Sequence, residues 1–123
     1  MIWKTVPPKC GDIIRVKMSF YFHYGIYVDD DTVIQFGLPD NAGISSEQIS
    51  VCATDISSFA CGRLCETGVM DRSEKRKSFS SAKIVTRAKE RIGETGYNMT
   101  ENNCEHFVNW CVFGEHTVFN KKK

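Results

Sequence analysis

At 123 residues the chain has room for one domain around a single core, and not for two. Hydrophobic residues make up 41% and charged residues 25%, and 16 Lys and Arg stand against 15 Asp and Glu, so a net charge of +1 argues against nucleic acid as the main partner. No apolar run approaches the roughly 20 residues that span a bilayer, and the N-terminus lacks the long apolar stretch of a secretory signal, which reads as a soluble, cytoplasmic chain.

The first half reads as strands. Residues 12–18 follow the breaker Gly11, residues 21–28 (YFHYGIYV) are rich in β-formers, and Thr32–Phe36 (TVIQF) is a further strand. Asp29, Asp30 and Asp31 between the last two predict a hairpin, and Gly37, Pro39, Asp40 and Gly43 then break the chain into a loop. Shorter strands are expected around residues 48–52 and 63–69. After the polar run DRSEKRKS, Ser80 or Ser81 can cap a helix whose apolar positions are Ile84, Val85, Ala88 and Ile92, with Gly93 placed to end it. A second helix is expected from Cys104 to about Phe113, with Gly114 as its stop. The class is α+β, an antiparallel sheet packed against helices, in one domain spanning residues 1–123.

The six cysteines (Cys10, Cys52, Cys61, Cys65, Cys104, Cys111) would suit a disulfide framework in a small secreted protein. With no export signal and enough aliphatic residues for a core, most read as reduced thiols acting as small hydrophobes. Cys61 and Cys65 are four apart and could begin a zinc site with Cys52, although no second ligand pair follows. The closing Lys121-Lys122-Lys123 is a cationic tail, either a solvated end or a peripheral contact with an anionic membrane.

Chemistry concentrates in TENNCEHFVNWCVFG, residues 100–114. On a helix, Cys104, Phe107, Val108 and Cys111 form one apolar stripe that meets the sheet, while His106 lies nearly opposite Cys104 and suits a capping role better than a base. Asn102 and Asn103 are good N-caps, and Asn102-x-x-Glu105 resembles a capping box. Cys104 then falls in the first turn, where free N–H groups and the helix dipole favour an anion, so its thiol should titrate below the usual ~8.5. The same N–H groups can face an oxyanion. Cys111, two turns further in, reads as inert filler.

A thiolate nucleophile needs a base, and the base an orienter. Of three histidines, His116 lies beyond the helix in GEHTVFN and reads as a surface residue. His23 sits in an apolar strand, where alternation puts Tyr21, His23, Gly25 and Tyr27 on one face and Phe22, Tyr24, Ile26 and Val28 on the other. Gln35 is the polar intruder in TVIQF. A three-residue loop would pair Val28 with Thr32 and Gly25 with Gln35, putting Gln35 on the His23 face; a two-residue loop would put it on the other. A Cys104–His23–Gln35 triad therefore requires the longer loop or an equivalent bulge.

The segments HYGIYV, VIQFG and RAKERIG…Y…NNCEHFV…C…FG, spread from about Gly11 to Gly114, resemble the family of lecithin:retinol acyltransferase and the H-Ras-like suppressor phospholipases and acyltransferases. The resemblance implies a circularly permuted papain-like fold of the NlpC type, with the histidine ahead of the cysteine. It implies Cys104 as nucleophile and His23 as base, and Tyr21 at the oxyanion site or in positioning. Gln35 falls where many members carry a second histidine; its amide oxygen can orient the imidazole without supplying charge. The vertebrate members carry a hydrophobic anchor after the domain, so a chain ending at Lys123 resembles the compact bacterial and viral versions.

The expected activity is thiol-dependent acyl transfer or hydrolysis through an acyl-thioester on Cys104, with no metal or organic cofactor. The resemblance points to a phospholipid or other acyl ester as donor. A cysteine amidase or peptidase is the alternative enzyme, and a non-catalytic interaction module the alternative from another class.

Overall fold

The computed structural model describes residues 1–37 and 46–119. The loop expected around Pro39, Asp40 and Gly43 and the closing lysine tail lie outside the described residues. Six strands, β1 (Ile2–Lys4), β2 (Ile13–Lys17), β3 (Phe22–Asp29), β4 (Thr32–Phe36), β5 (Val51–Thr54) and β6 (Cys65–Val69), form one antiparallel sheet in the order β1-β6-β2-β3-β4-β5. Helices α1 (Ile56–Ala60), α2 (Arg72–Lys77), α3 (Ser81–Glu90) and α4 (Cys104–Phe113) complete an α+β fold.

The periodic elements stand where the sequence puts them. Ser80 caps α3 by accepting from Lys83 N, and Ile84 and Ala88 are its buried face. Ile92 lies beyond the helix and is exposed, because α3 closes at Arg91 before that turn. Gly114 ends α4 in the left-handed region (φ 72°), and its N–H donates to Trp110 O.

Three short elements escape a pattern reading. β1 has three residues. α1 has five, begun by Asp55 accepting from Ser58 N, and Phe59 is its only buried residue. α2 falls in the polar run DRSEKRKS, to which the sequence pattern assigns no element: it buries nothing and is held by an Asp71–Glu74 capping box and by the Met1 ammonium on Glu74 at 2.8 Å. β5 and β6 also begin later than expected. Cys61 (φ 52°) and Gly62 (φ 74°) reverse the chain after α1, so Arg63 and Leu64 belong to the turn.

The sheet buries both faces. Ile13, Tyr24, Ile26, Ile34 and Phe36 meet Ile84, Ala88, Phe107, Val108, Cys111 and Val112 of α3 and α4. The alternate residues Ile14, Val16 and Val33 meet Phe59 of α1. Each fully buried Ile or Phe contributes roughly 1.5–3 kcal/mol relative to exposure. The two-sided burial fixes strand register, since a one-residue slip would turn every side chain to the wrong layer.

Candidate active site

The β3–β4 hairpin decides whether His23 and Gln35 meet. Its turn is two residues long, Asp30 and Asp31, closing an Asp29–Thr32 pair rather than the expected Val28–Thr32 pair. A bulge between Tyr27 and Asp29 absorbs the extra residue, and the register beyond it pairs Gly25 with Gln35. The bulge does the work of the three-residue loop. Asp29 Oδ1 accepts from Asp31 N at 2.9 Å and stabilises the turn.

With that register, His23 and Gln35 are both 1% exposed, and His23 Nε2 bonds Gln35 Oε1 at 2.7 Å. Because the amide oxygen only accepts, the bond selects the Nε2–H tautomer and leaves the Nδ1 lone pair available as a base. Gln35 Nε2 in turn donates to Cys52 Sγ at 3.7 Å, fixing the amide's orientation. Burial pushes the His23 pKa down to about 4, against the upward pull of the Gln35 bond. At neutral pH the ring is neutral.

Phe59 lies against this imidazole, ring centroids 5.1 Å apart at 32°. Gly25 makes room for it, since a Cβ there would stand 2.7 Å from Phe59 Cε1 and 2.9 Å from Val33 Cγ1. Sequence reading missed Phe59, whose only signal is one aromatic in DISSFA.

Cys104 enters from the other layer. It begins α4, 5% exposed, and its Sγ–H points to Phe22 O at a long 3.9 Å. The Tyr24 amide also faces the sulfur, as do the N–H groups of Cys104 and Glu105. The thiol thus sits on the backbone edge of β3 between the two neighbours of His23. Paired contact of β4 with β3 ends at Gly25–Gln35, so that edge is open toward β4. Thiol and imidazole do not bond each other among the described contacts; what they share is the Phe22–Tyr24 segment.

The lowered thiol pKa expected of a helix start is overturned. Burial pushes Cys104 up to about 11; the Tyr24 amide and the helix-start amides pull it down, and Glu105 opposes them. Desolvation outweighs the amides, because burial strips the thiolate of more solvation than these N–H groups return. Cys111, at 0% exposure and pushed up to about 12 by burial, is core filler.

The cap of α4 is one residue later than expected. Asn103, not Asn102, is the N-cap; its Oδ1 accepts from Glu105 N and His106 N, and His106 Nδ1 accepts from Asn103 N at 3.2 Å. His106 is therefore a capping residue, stacked on His116 at 4.7 Å. Asn102 instead donates to Gly96 O at 3.0 Å. Glu105 Oε2 accepts from Phe119 N at 2.6 Å.

Tyr21 precedes β3 and is 45% exposed; its carbonyl accepts from Met18 N at 2.7 Å and closes the β2–β3 turn. Tyr97 was not singled out as a site residue from the sequence. Its phenol is pushed up to about 12 by burial first, then by the charges of Cys104 and Tyr21. Tyr97 also lines a polar cleft of about 330 Å³ with Glu47, Thr95, Gly96 and Asn98. Among the described residues no cluster of His, Cys, Asp and Glu could hold a metal ion, so the zinc site weighed for Cys52, Cys61 and Cys65 has no geometry here.

A family model described as lecithin retinol acyltransferase matches residues 6–117. The lecithin retinol acyltransferase of Bos taurus is 31% identical over 124 residues, covering 85% of this chain and 54% of that protein. Phospholipase A and acyltransferase 3 of Homo sapiens is 33% identical over 116 residues, covering 87% of this chain and 72% of that protein. The Mus musculus form is 34% identical over the same length. The chain spans about half the length of the lecithin retinol acyltransferases it matches, 54% in each case. With the family model matched from residue 6 to residue 117, the chain belongs to the lecithin retinol acyltransferase family.

Proposed function

We propose that the protein is a thiol-dependent acyltransferase or hydrolase that takes an acyl group from a phospholipid or other acyl ester. The observation that carries this reading is the buried His23–Gln35 bond at 2.7 Å, laid against the strand segment that holds Cys104. Two relatives named as acyltransferases, one also as a phospholipase, support the donor class. The strand-borne histidine preceding the helix-start cysteine also supports reading the fold as permuted papain-like.

In this mechanism the Cys104 Sγ–H proton passes to His23 Nδ1 as sulfur attacks the ester carbonyl. N–H groups at the start of α4 receive the oxyanion, and Tyr21 assists in positioning. Collapse breaks the ester C–O bond, and the imidazolium returns the proton to the departing alkoxide. An acyl-thioester remains. His23 then deprotonates water, or an acceptor alcohol or amine, which attacks the thioester and restores the thiol. Gln35 holds the ring throughout. No step calls on a metal or organic cofactor.

One observation favours an amidase or peptidase instead: the cleft beside Tyr97 is lined by the polar residues Glu47, Thr95 and Asn98. The test is to supply phosphatidylcholine in mixed detergent micelles, and separately a peptide library, and follow lysophospholipid or cleaved peptide by mass spectrometry. Lysophospholipid from the wild type and none from Cys104→Ala supports the acyl-ester reading. Peptide cleavage alone replaces it with the amidase, and neither product leaves a non-catalytic module.

A further inference from the structure

We propose that the end of the sheet where Cys104 lies docks on an anionic lipid bilayer. Phe20, Leu64 and Met99 enter the interface, and Lys17 and Arg63 meet its headgroups. The inference takes its purpose from the acyl-lipid reading above, and adds how the site would reach a substrate that stays in a membrane.

Three large apolar side chains at this end have no reason to face water. Phe20 is 98% exposed, Met99 79% and Leu64 71%, the three most exposed large hydrophobics of the described chain. Their positions converge by register. β2 and β3 pair Lys17 with Phe22, so Phe20 tips the turn just beyond the strand segment that holds the Cys104 sulfur. β2 and β6 pair Val16 with Cys65, which sets Leu64 beside Lys17. Arg63 Nη1 donates to Lys17 O at 3.4 Å, tying the two turns together. Met99 comes from the α4 side, one hydrogen bond from the cap of Cys104: Asn103 Nδ2 donates to its carbonyl at 2.7 Å.

Single exposed apolar residues are ordinary. Grouped at the tip of adjoining turns, around a buried nucleophile, they form the kind of patch that marks an interaction surface. Charge selects the partner. Lys17 and Arg63 are both exposed and flank Phe20 and Leu64, matching the apolar-plus-basic pattern that binds anionic bilayers. The acidic groups lie on the Met99 side instead, where Glu101 is two residues on and Glu47 lines the cleft with Tyr97 and Asn98. The docked face is thus centred on the β2–β3 and α1–β6 turns.

The test is flotation with phosphatidylcholine vesicles, with and without about 30% phosphatidylserine. The Cys104→Ala chain is used so that turnover does not alter the vesicles. It should float with the anionic vesicles and much less with the neutral ones. Adding Phe20→Ser and Leu64→Ser should weaken partition about tenfold or more. Adding Lys17→Glu and Arg63→Glu should abolish the preference for phosphatidylserine. In the Cys104 background these two pairs of substitutions should keep the parent's melting temperature. In chains that retain Cys104 they should leave turnover of a soluble short-chain thioester unchanged. No flotation by the parent, or equal flotation by the apolar variant, overturns the docking surface. Turnover of the soluble ester without flotation removes the docking alone, and flotation without turnover of any acyl donor removes the acyl-ester reading alone.

Discussion

His23 and Gln35 are joined across the β3–β4 pair by a 2.7 Å bond from Nε2–H to Oε1, and this bond sets which imidazole nitrogen carries the proton. Gln35→Leu removes the acceptor and leaves a buried N–H unpaired, a loss of about 1–3 kcal/mol in stability. Acyl transfer should slow by roughly a hundredfold as the ring loses its orientation. Gln35→Glu should instead raise the His23 pKa, because a carboxylate favours the imidazolium. Urea melts, acylation rates and NMR titration of the His23 ring check the three outcomes. An unchanged acylation rate in Gln35→Leu would remove this residue from the site.

Acid should unfold the protein earlier than an ordinary histidine content suggests. His23 titrates near 4 when folded against 6.5 ordinarily, so between those values the unfolded chain binds a proton that the folded chain refuses. Above about pH 6.5 the ring contributes no pH dependence. Stability is then lost as pH falls toward 4, by about 3 kcal/mol in all, and the loss levels off below. His106, lowered by burial and by His116, adds in the same direction. Denaturant midpoints measured from pH 7.5 to 4 should show the slope in the wild type and a shallower one in His23→Asn.

Gly25 and Phe59 should prove coupled. Gly25→Ala drives a methyl toward the Phe59 ring, 2.7 Å away as built, and costs about 1–3 kcal/mol by overpacking. Phe59→Ala opens a cavity beside the imidazole and costs about 3–5 kcal/mol. In a Phe59→Leu background the alanine at residue 25 should cost less than in the wild type. A double-mutant cycle by urea denaturation reads this directly, and additive losses would contradict the close packing.

The resting thiol should be slow. Cys10 and Cys61 are exposed, whereas Cys104 is 5% exposed and pushed up to about 11 by burial. At pH 7.5 iodoacetamide should label Cys10 and Cys61 first, with Cys104 at least about tenfold slower. Peptide mapping of a labelling time course gives the order. Cys104 labelled first would show a preformed thiolate, which this geometry does not provide.

Much of this arrangement is legible in the sequence where one dominant signal speaks. The α4 stripe of Cys104, Phe107, Val108 and Cys111 follows from helical spacing, and Gly114 from the φ it adopts. The Gly25–Gln35 pairing follows from asking which register puts two buried polar groups on one face. What was not legible depends on tertiary balance. The Cys104 pKa is a contest between helix-start amides and desolvation, and only the depth of burial decides it. Whether Asn102 or Asn103 caps α4 depends on where the loop from Gly96 delivers the chain. Phe59 matters because α1, in the β5–β6 connection, folds it onto His23, a contact that the DISSFA segment alone does not announce.

The central claim is that Cys104 carries an acyl group. Incubating the protein with an activated long-chain thioester and with phosphatidylcholine in micelles, then measuring intact mass after acid quench, tests it most directly. The account predicts a mass gain of one acyl chain, mapped to the peptide containing Cys104, lost on hydroxylamine treatment, absent from Cys104→Ala and strongly reduced in His23→Ala. Acylation on another cysteine, or an adduct of equal size on Cys104→Ala, would contradict it.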